Sequence, residues 1–350
     1  MFDLTPTLVK IYFYLFSSVC FFLLSPIDLI AQSTSDVQWI SRDTTVGRVN
    51  VIANWKKGEK KKYRASKTTK KFVEDSLLTK KVELDQIVEF AVVDSTADSY
   101  ELSYHIRENM RDISNDPVIP FEKLGIADQD MVLHYQTRPE GDLRKYHNRE
   151  AVEKAMDEMI KLVVKDRKAS FEPKDEAEKQ VFDAVFAKTA NGKVLFSTVY
   201  EVFVSQFHNF HGYGSGLNDT LRYTETWPNS FGSTPINYDC YLYISSLDSL
   251  NEVRFDIEKF AEMNGVLKDF SGFMKKNQEA AGVKANDDME RGFAKLDMKM
   301  EMYVTTFIDL HTGWPTFIKV TKSVISKDEK INKTHFQDEI WVLTDDLSDQ

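Results

Sequence analysis

The sequence predicts an α+β protein in which a curved antiparallel sheet, a half-barrel-like meander, wraps around a helical insert. Three observations lead there. Apolar and polar residues alternate with period two over the first half. The period changes to 3.6 after Asn148. Alternation then returns from Thr220 almost to the end.

The first strands are predicted at residues 49–55 and 60–72, separated by the turn residues Lys57-Gly58. A hairpin follows, with an outgoing arm at 82–93 and a return arm that places Tyr100, Leu102, Tyr104 and Ile106 on one face. A further pair, 131–137 and 143–147, brackets the turn composition Pro139-Glu140-Gly141-Asp142. Asn148 is then a good cap for a helix over 151–166, with Val152, Ala155, Met156, Met159 and Ile160 in one apolar stripe. A second helix follows Pro173 and is stopped by Asn191-Gly192. The third, residues 194–208, is apolar on nearly every side and must be covered all round. Strands resume at 220–226, 236–245 and 252–260, ahead of a mixed helical and polar stretch over 262–290. Three more are expected at 296–310, 316–324 and 336–343.

At the amino terminus Lys10 precedes an apolar run from Ile11 to Leu24, broken afterwards by Pro26 and Asp28. A run of about fourteen residues is short for a membrane span and suits a secretory signal peptide. Ala31 is the small residue acceptable at the cleavage point. Residues 1–31 are therefore expected to be a signal peptide and 32–350 a single α+β domain (strands about 45–147, helices about 150–208, strands and a helical stretch about 219–344), soluble in the periplasm or secreted. The alternative is an uncleaved anchor.

Loss of the leader removes Cys20 and leaves Cys240 as the sole thiol, so stability must come from burial rather than an internal disulfide. Cys240 falls on the apolar face of a strand with Tyr238 and Leu242, where no partner base is near in sequence. A net charge of -10 argues against nucleic-acid binding. The charge is uneven: the stretch bounded by Lys56 and Lys81 holds eleven basic and three acidic residues. It could touch an anionic membrane surface peripherally. The stronger reading is that it lines a solvent-exposed or edge strand, where lysines discourage edge pairing.

Three segments carry a resemblance. Trp55-Lys56-Lys57-Gly58-Glu59 leads into the Tyr63 strand, Trp227-Pro228-Asn229-Ser230-Phe231-Gly232 precedes a strand, and Asp309-Leu310-His311-Thr312-Gly313-Trp314-Pro315 makes a late hairpin turn. With the export leader, these resemble uncharacterised secreted proteins of Bacteroidota, which in turn are similar to half-barrel envelope proteins of the lipoprotein-carrier type. The resemblance implies an antiparallel sheet wrapped around helices, with a gap able to hold an acyl chain. It assigns no site residue.

Candidate sites follow from the residues themselves. His208 and His211, three apart at a helix end, could share a metal, yet zinc needs a third or fourth ligand and no acid is close in sequence before Asp219. The glycines of Gly212-Tyr213-Gly214-Ser215-Gly216 mark the helix end and a mobile loop. Met298, Met300 and Met302 share one strand face, as soft copper ligands, as core filler, or as an adaptable cavity lining. Trp227 and Trp314, beside prolines, could touch a glycan or headgroup or simply anchor turns. Asp287-Asp288 carries little catalytic information among 55 acids. Asn218 and Asn332 begin glycosylation-type triplets.

The expected function is an exported cell-envelope protein that holds a lipid or other apolar ligand, with Phe196, Phe203, Phe207, Met300 and Trp314 as ligand-binding candidates. No cofactor, resident metal or catalytic residue is expected. The alternatives are a structural or interaction protein of the envelope with a protein partner and no ligand, and a hydrolase without a recognisable motif. Amino-terminal sequencing of the exported protein should begin at Gln32; a chain that retains Met1 or Phe2 would establish the uncleaved anchor.

Overall fold

The computed structural model describes residues 38–41, 47–109, 128–168, 191–217, 219–227, 229, 231–280, 296–328 and 333–345. The expected leader, the helix expected after Pro173, the Asp287-Asp288 pair, Asn218 and Asn332 lie outside them.

Antiparallel sheet dominates the described chain. Its strands are β1 (Gln38–Ser41), β2 (Arg48–Asn50), β3 (Lys60–Val73), β4 (Ser76–Ser95), β5 (Tyr100–Asn109), β6 (Leu133–Thr137) and β7 (Leu143–Tyr146) before the helices. After them come β8 (Gly214–Gly216), β9 (Thr220–Trp227), β10 (Ile236–Leu247), β11 (Glu252–Glu262), β12 (Leu296–Asp309), β13 (Pro315–Asp328) and β14 (Lys333–Thr344). The helices are α1 (Arg149–Lys168), α2 (Gly192–Phe196), α3 (Val202–His208) and α4 (Asn264–Ala280). A π-turn over Ser197–Glu201 joins α2 to α3.

Twelve strands form one curved, unclosed sheet in the order β1-β9-β10-β11-β12-β13-β14-β3-β4-β5-β6-β7. Two meanders, β3 to β7 and β9 to β14, are fused where the last strand pairs with β3 from His335↔Val73 to Thr344↔Arg64. The lysine-rich strand is thus interior to the sheet, not an edge. Its even-numbered residues from Lys60 to Lys70 face outward, as alternation requires, while Tyr63, Ala65, Lys67 and Thr69 are buried on the other side.

The chain from α2 to α3 meets the sheet on this second, inner face. Phe207 stacks on Phe90 of β4 with ring centroids 4.0 Å apart, Phe203 approaches Trp341 of β14, and Phe210 stacks on Phe255 of β11 at 4.5 Å. Strands from both meanders therefore share one core with the apolar helix, whose burial demand is met. The π-turn brings Glu201 to Ser197 Oγ, which donates to its Oε2 at 2.6 Å, and to Arg149 of α1 at 3.2 Å. That pairing is how a nearly buried glutamate is tolerated.

Several local expectations are corrected. Residues 49–55 keep the expected period-two burial, yet only Arg48–Asn50 joins a ladder, with β8. The remainder is an extended strap over the turns at one end of the sheet. Val51 N donates to Tyr213 O, Ala53 N to Glu140 O and Asn54 N to Thr312 O. Gly214–Gly216, expected as part of a mobile loop, is the strand β8 that receives this segment. Asn148 does sit at the start of α1, but its side chain accepts from His134 N and donates to Val132 O, tying the helix to β6. Asn191, expected with Gly192 to stop a helix that lies outside the described residues, is the cap of the next one. Its side chain accepts from Val194 N at 3.0 Å and caps the start of α2. β1, which pairs with β9, has no counterpart among the expected strands.

Gly313 is fixed by this strap. Its φ of +72° is left-handed, and a Cβ there would lie 2.5 Å from Ile52 O. Gly313→Ala should therefore lower stability by about 2 kcal/mol, read as a lower denaturant midpoint with an unchanged slope.

Candidate functional site

Where the strap, the α3 terminus and the turns meet, both candidate histidines are committed to the fold. His208 Nδ1 lies 2.7 Å from Gly141 O and Nε2 lies 2.9 Å from Tyr135 OH. A carbonyl only accepts, so Nδ1 carries the proton and Nε2 receives the phenol hydrogen. His211 Nε2 donates in the same way to Gly313 O at 2.7 Å. No cluster of three metal-ligating residues occurs among the described residues. These imidazoles are clamps between the helix end and two turns.

The rings around them pack closely. Trp55 lies 4.9 Å from Trp314 and 5.1 Å from His211. Trp314 donates its indole hydrogen to Glu59 Oε1, and Trp227 donates to Glu225 and packs on Tyr238. Both tryptophans are buried turn anchors rather than rim aromatics.

The five ligand-binding candidates are buried but do not converge on one place. Phe207 and Trp314 belong to the histidine cluster, 5.7 Å apart. Phe196 stacks on Tyr200, Phe203 faces Trp341, and Met300 lies on β12, where its sulfur accepts the Tyr238 hydroxyl hydrogen at 2.9 Å. Cys240 is buried, and burial pushes its thiol up to about 12, so it stays protonated at neutral pH.

A set of residues that the sequence reading passed over lies on the inner face. The ladders align Cys240, Lys259, Met302, Lys322, Glu339 and Thr69 in one transverse row across six strands. The adjacent row runs Leu242, Ile257, Val304, Val320, Trp341 and Lys67. Charge is thus embedded in an apolar face. Lys259, 2% exposed, is neutralised by both oxygens of Glu225 at 2.8 Å. Lys67 bridges Glu339 at 3.1 Å and Glu83 at 3.2 Å, with its ammonium 5.1 Å from the Trp341 ring centre.

Glu339 is the unusual member. Burial raises its carboxyl above the ordinary range, outweighing the pull of Lys67 and Lys322. Its Oε2 has no hydrogen-bond partner, and the same holds for Thr69 Oγ1 beside it and Trp341 Nε1 in the next row. Each unpaired buried polar atom costs about 1–3 kcal/mol. The available signal was parity: Lys67, Lys259, Lys322 and Glu339 occupy inward positions of otherwise alternating strands.

No family model matches the chain, and no curated protein does. Among solved structures, a loop-L8 deletion mutant of OmpT, an outer membrane protein of Vibrio cholerae, matches over 82% of this chain and 100% of that one, at 7% identity and a TM-score of 0.20. At that score the likeness carries no argument about fold or function. No helix among the described residues is long and apolar enough to cross a membrane.

The histidine clamp predicts acid sensitivity. Burial lowers His211 to about 4 and His208 well below the usual imidazole value. Unfolded histidines titrate near 6.5, so below that pH the unfolded chain binds protons that the folded chain refuses. The stability from these neutral imidazoles is present above pH 6.5 and lost as pH falls toward the folded values. His211 alone should remove about 2 kcal/mol between pH 7 and pH 5. Urea denaturation at both pH values should show a smaller difference for His211→Asn than for wild type.

Proposed function

We propose that the protein is an exported component of the cell envelope, built as a half-barrel around a helix, and that it binds or carries a hydrophobic ligand on its inner face. The observation that carries this reading is the methionine-rich patch beside α4. Met298, Met300 and Met302 share the buried face of β12, and buried Met263, which leads into α4, donates its N–H to Met298 O. Thioether side chains change shape at little cost, which suits a surface that must fit acyl chains of varied form. The leader sequence supports export, and the mixed apolar and charged rows suit a ligand with one polar end.

A second reading has its own support. Phe196, Phe207 and Trp314 are satisfied by protein rings, as in a solid core, which suits a structural or interaction protein of the envelope with no small-molecule ligand. Hydrolysis has less behind it. The buried histidines bond to carbonyls and a phenol, and His147, which meets Glu101 at 2.6 Å, is a third exposed.

The readings separate on isolation of the native protein. Organic extraction followed by mass spectrometry should release a lipid in near-stoichiometric amount from the carrier. Protein that yields no lipid and co-purifies with a stoichiometric envelope protein would establish the second reading.

A further inference from the structure

We infer that the free end of the β3–β4 hairpin is a docking surface for an anionic lipid bilayer, with Leu77 and Leu78 entering the headgroup layer and Lys70, Lys80 and Lys81 meeting its charge. The inference is independent of what the inner face holds.

The ladders set this end apart. β4 pairs with β5 only as far as Gln86↔Asn109, so among the described residues 76–85 are held by β3 alone. Near the turn the register slips: Lys71 faces Thr79, Phe72 faces Leu77, and Leu78 is the extra residue of a β-bulge. Leu77 and Leu78 are each 52% exposed. Leu77 also ends a row on the outer face, Ile325, Phe336, Phe72 and Leu77, which crosses four strands without a polar side chain. The hydrophobic core lies on the opposite face and includes none of the four. Exposed apolar side chains grouped in this way mark a place of contact.

The charges beside the row do not serve the hairpin itself. Lys70 stands directly opposite Lys80, a like-charge cross-strand pair that weakens the ladder. Burial lowers the Lys71 ammonium, and the charge of Lys81 adds to this against the pull of Glu83. Among the described residues, the side chains of Lys70, Lys80 and Lys81 make no ion pair or hydrogen bond. The acids nearby are held by other groups. Glu83 pairs with Lys67, Glu74 accepts from Thr334 N, and Asp338, opposite Lys70, accepts from Ser323 Oγ. Asp75 alone stays at the turn to oppose the lysines.

Lysines on a free edge also discourage strand pairing. That role asks for charge alone and leaves two exposed leucines without a purpose. Leucines flanked by ammonium groups match a surface that is anionic outside and apolar beneath, and such docking needs no match of shape.

The test is sedimentation of the native protein with phosphatidylcholine vesicles that carry about 30% phosphatidylglycerol or none. Binding to the anionic vesicles should be about tenfold tighter and should fall as salt is raised. Lys70→Gln, Lys80→Gln and Lys81→Gln combined should weaken it about a hundredfold, at about fivefold per lysine. Leu77→Ser with Leu78→Ser should weaken it about tenfold. All variants share the wild-type amino terminus, so its contribution cancels. Both sets of changes fall on side chains outside the core, and unchanged denaturant midpoints should show that the fold is intact. Equal binding to the two vesicles, or a lysine variant that binds as wild type does, would overturn the inference. An unmoved leucine variant would also overturn it and leave the lysines as edge guards. Capture by an acidic envelope protein through the same lysines, with no vesicle binding, would overturn it in favour of a protein partner.

Discussion

The pairing of β14 with β3 is the interaction on which the rest depends. Without it the chain would be two meanders, each with an unpaired strand beside the helix. With it, one inner face runs from Cys240 across to Thr69, and residues from opposite ends of the sequence become neighbours. Lys322, Glu339 and Lys67 form a patch only because this ladder sets them in register. A shift of one residue would turn Glu339 and Trp341 outward and Asp338 and Ile340 inward.

Two kinds of interior result from one sheet. Toward the histidine end, rings stack on rings and every imidazole is spoken for by a carbonyl or a phenol, with one ring nitrogen of His211 left over. Toward β14, the same face carries lysines, glutamates and unpartnered donors among methionines and valines. The first arrangement favours rigidity, because aromatic packing of this density resists rearrangement. The second keeps a price in unpaired polar atoms, which natural cores avoid unless something else is gained.

Much of this was legible in the amino-acid order, for reasons that are local. Strands such as Tyr100–Asn109 and Ile236–Leu247 alternate over most of their length because one face is buried, and the apolar helix near Phe203 could only sit inside a sheet. What escaped was non-local. Nothing in residues 333–344 announces that they pair with residues 60–73, so the basic strand could be taken for an edge. Asn191 reads equally as a stop or a cap until the neighbouring chain is in place. Lys67 and Glu339 were hidden by their charge: composition sends such residues outward, and only their odd-numbered positions place them within.

The strap at Val51, Ala53 and Asn54 bears on the order of assembly. It emerges early, yet its hydrogen-bond partners Tyr213, Glu140 and Thr312 belong to three later and widely separated parts of the chain. Contacts of such long sequence separation form slowly, since each must close a large loop before it yields any stabilisation. The strap can therefore latch only after both meanders have met, which makes it a late lock on a structure already formed. Until then its alternating apolar residues, with the unpaired edges of β3 and β14, stand open to other chains, so a newly made molecule is most prone to aggregate in that interval.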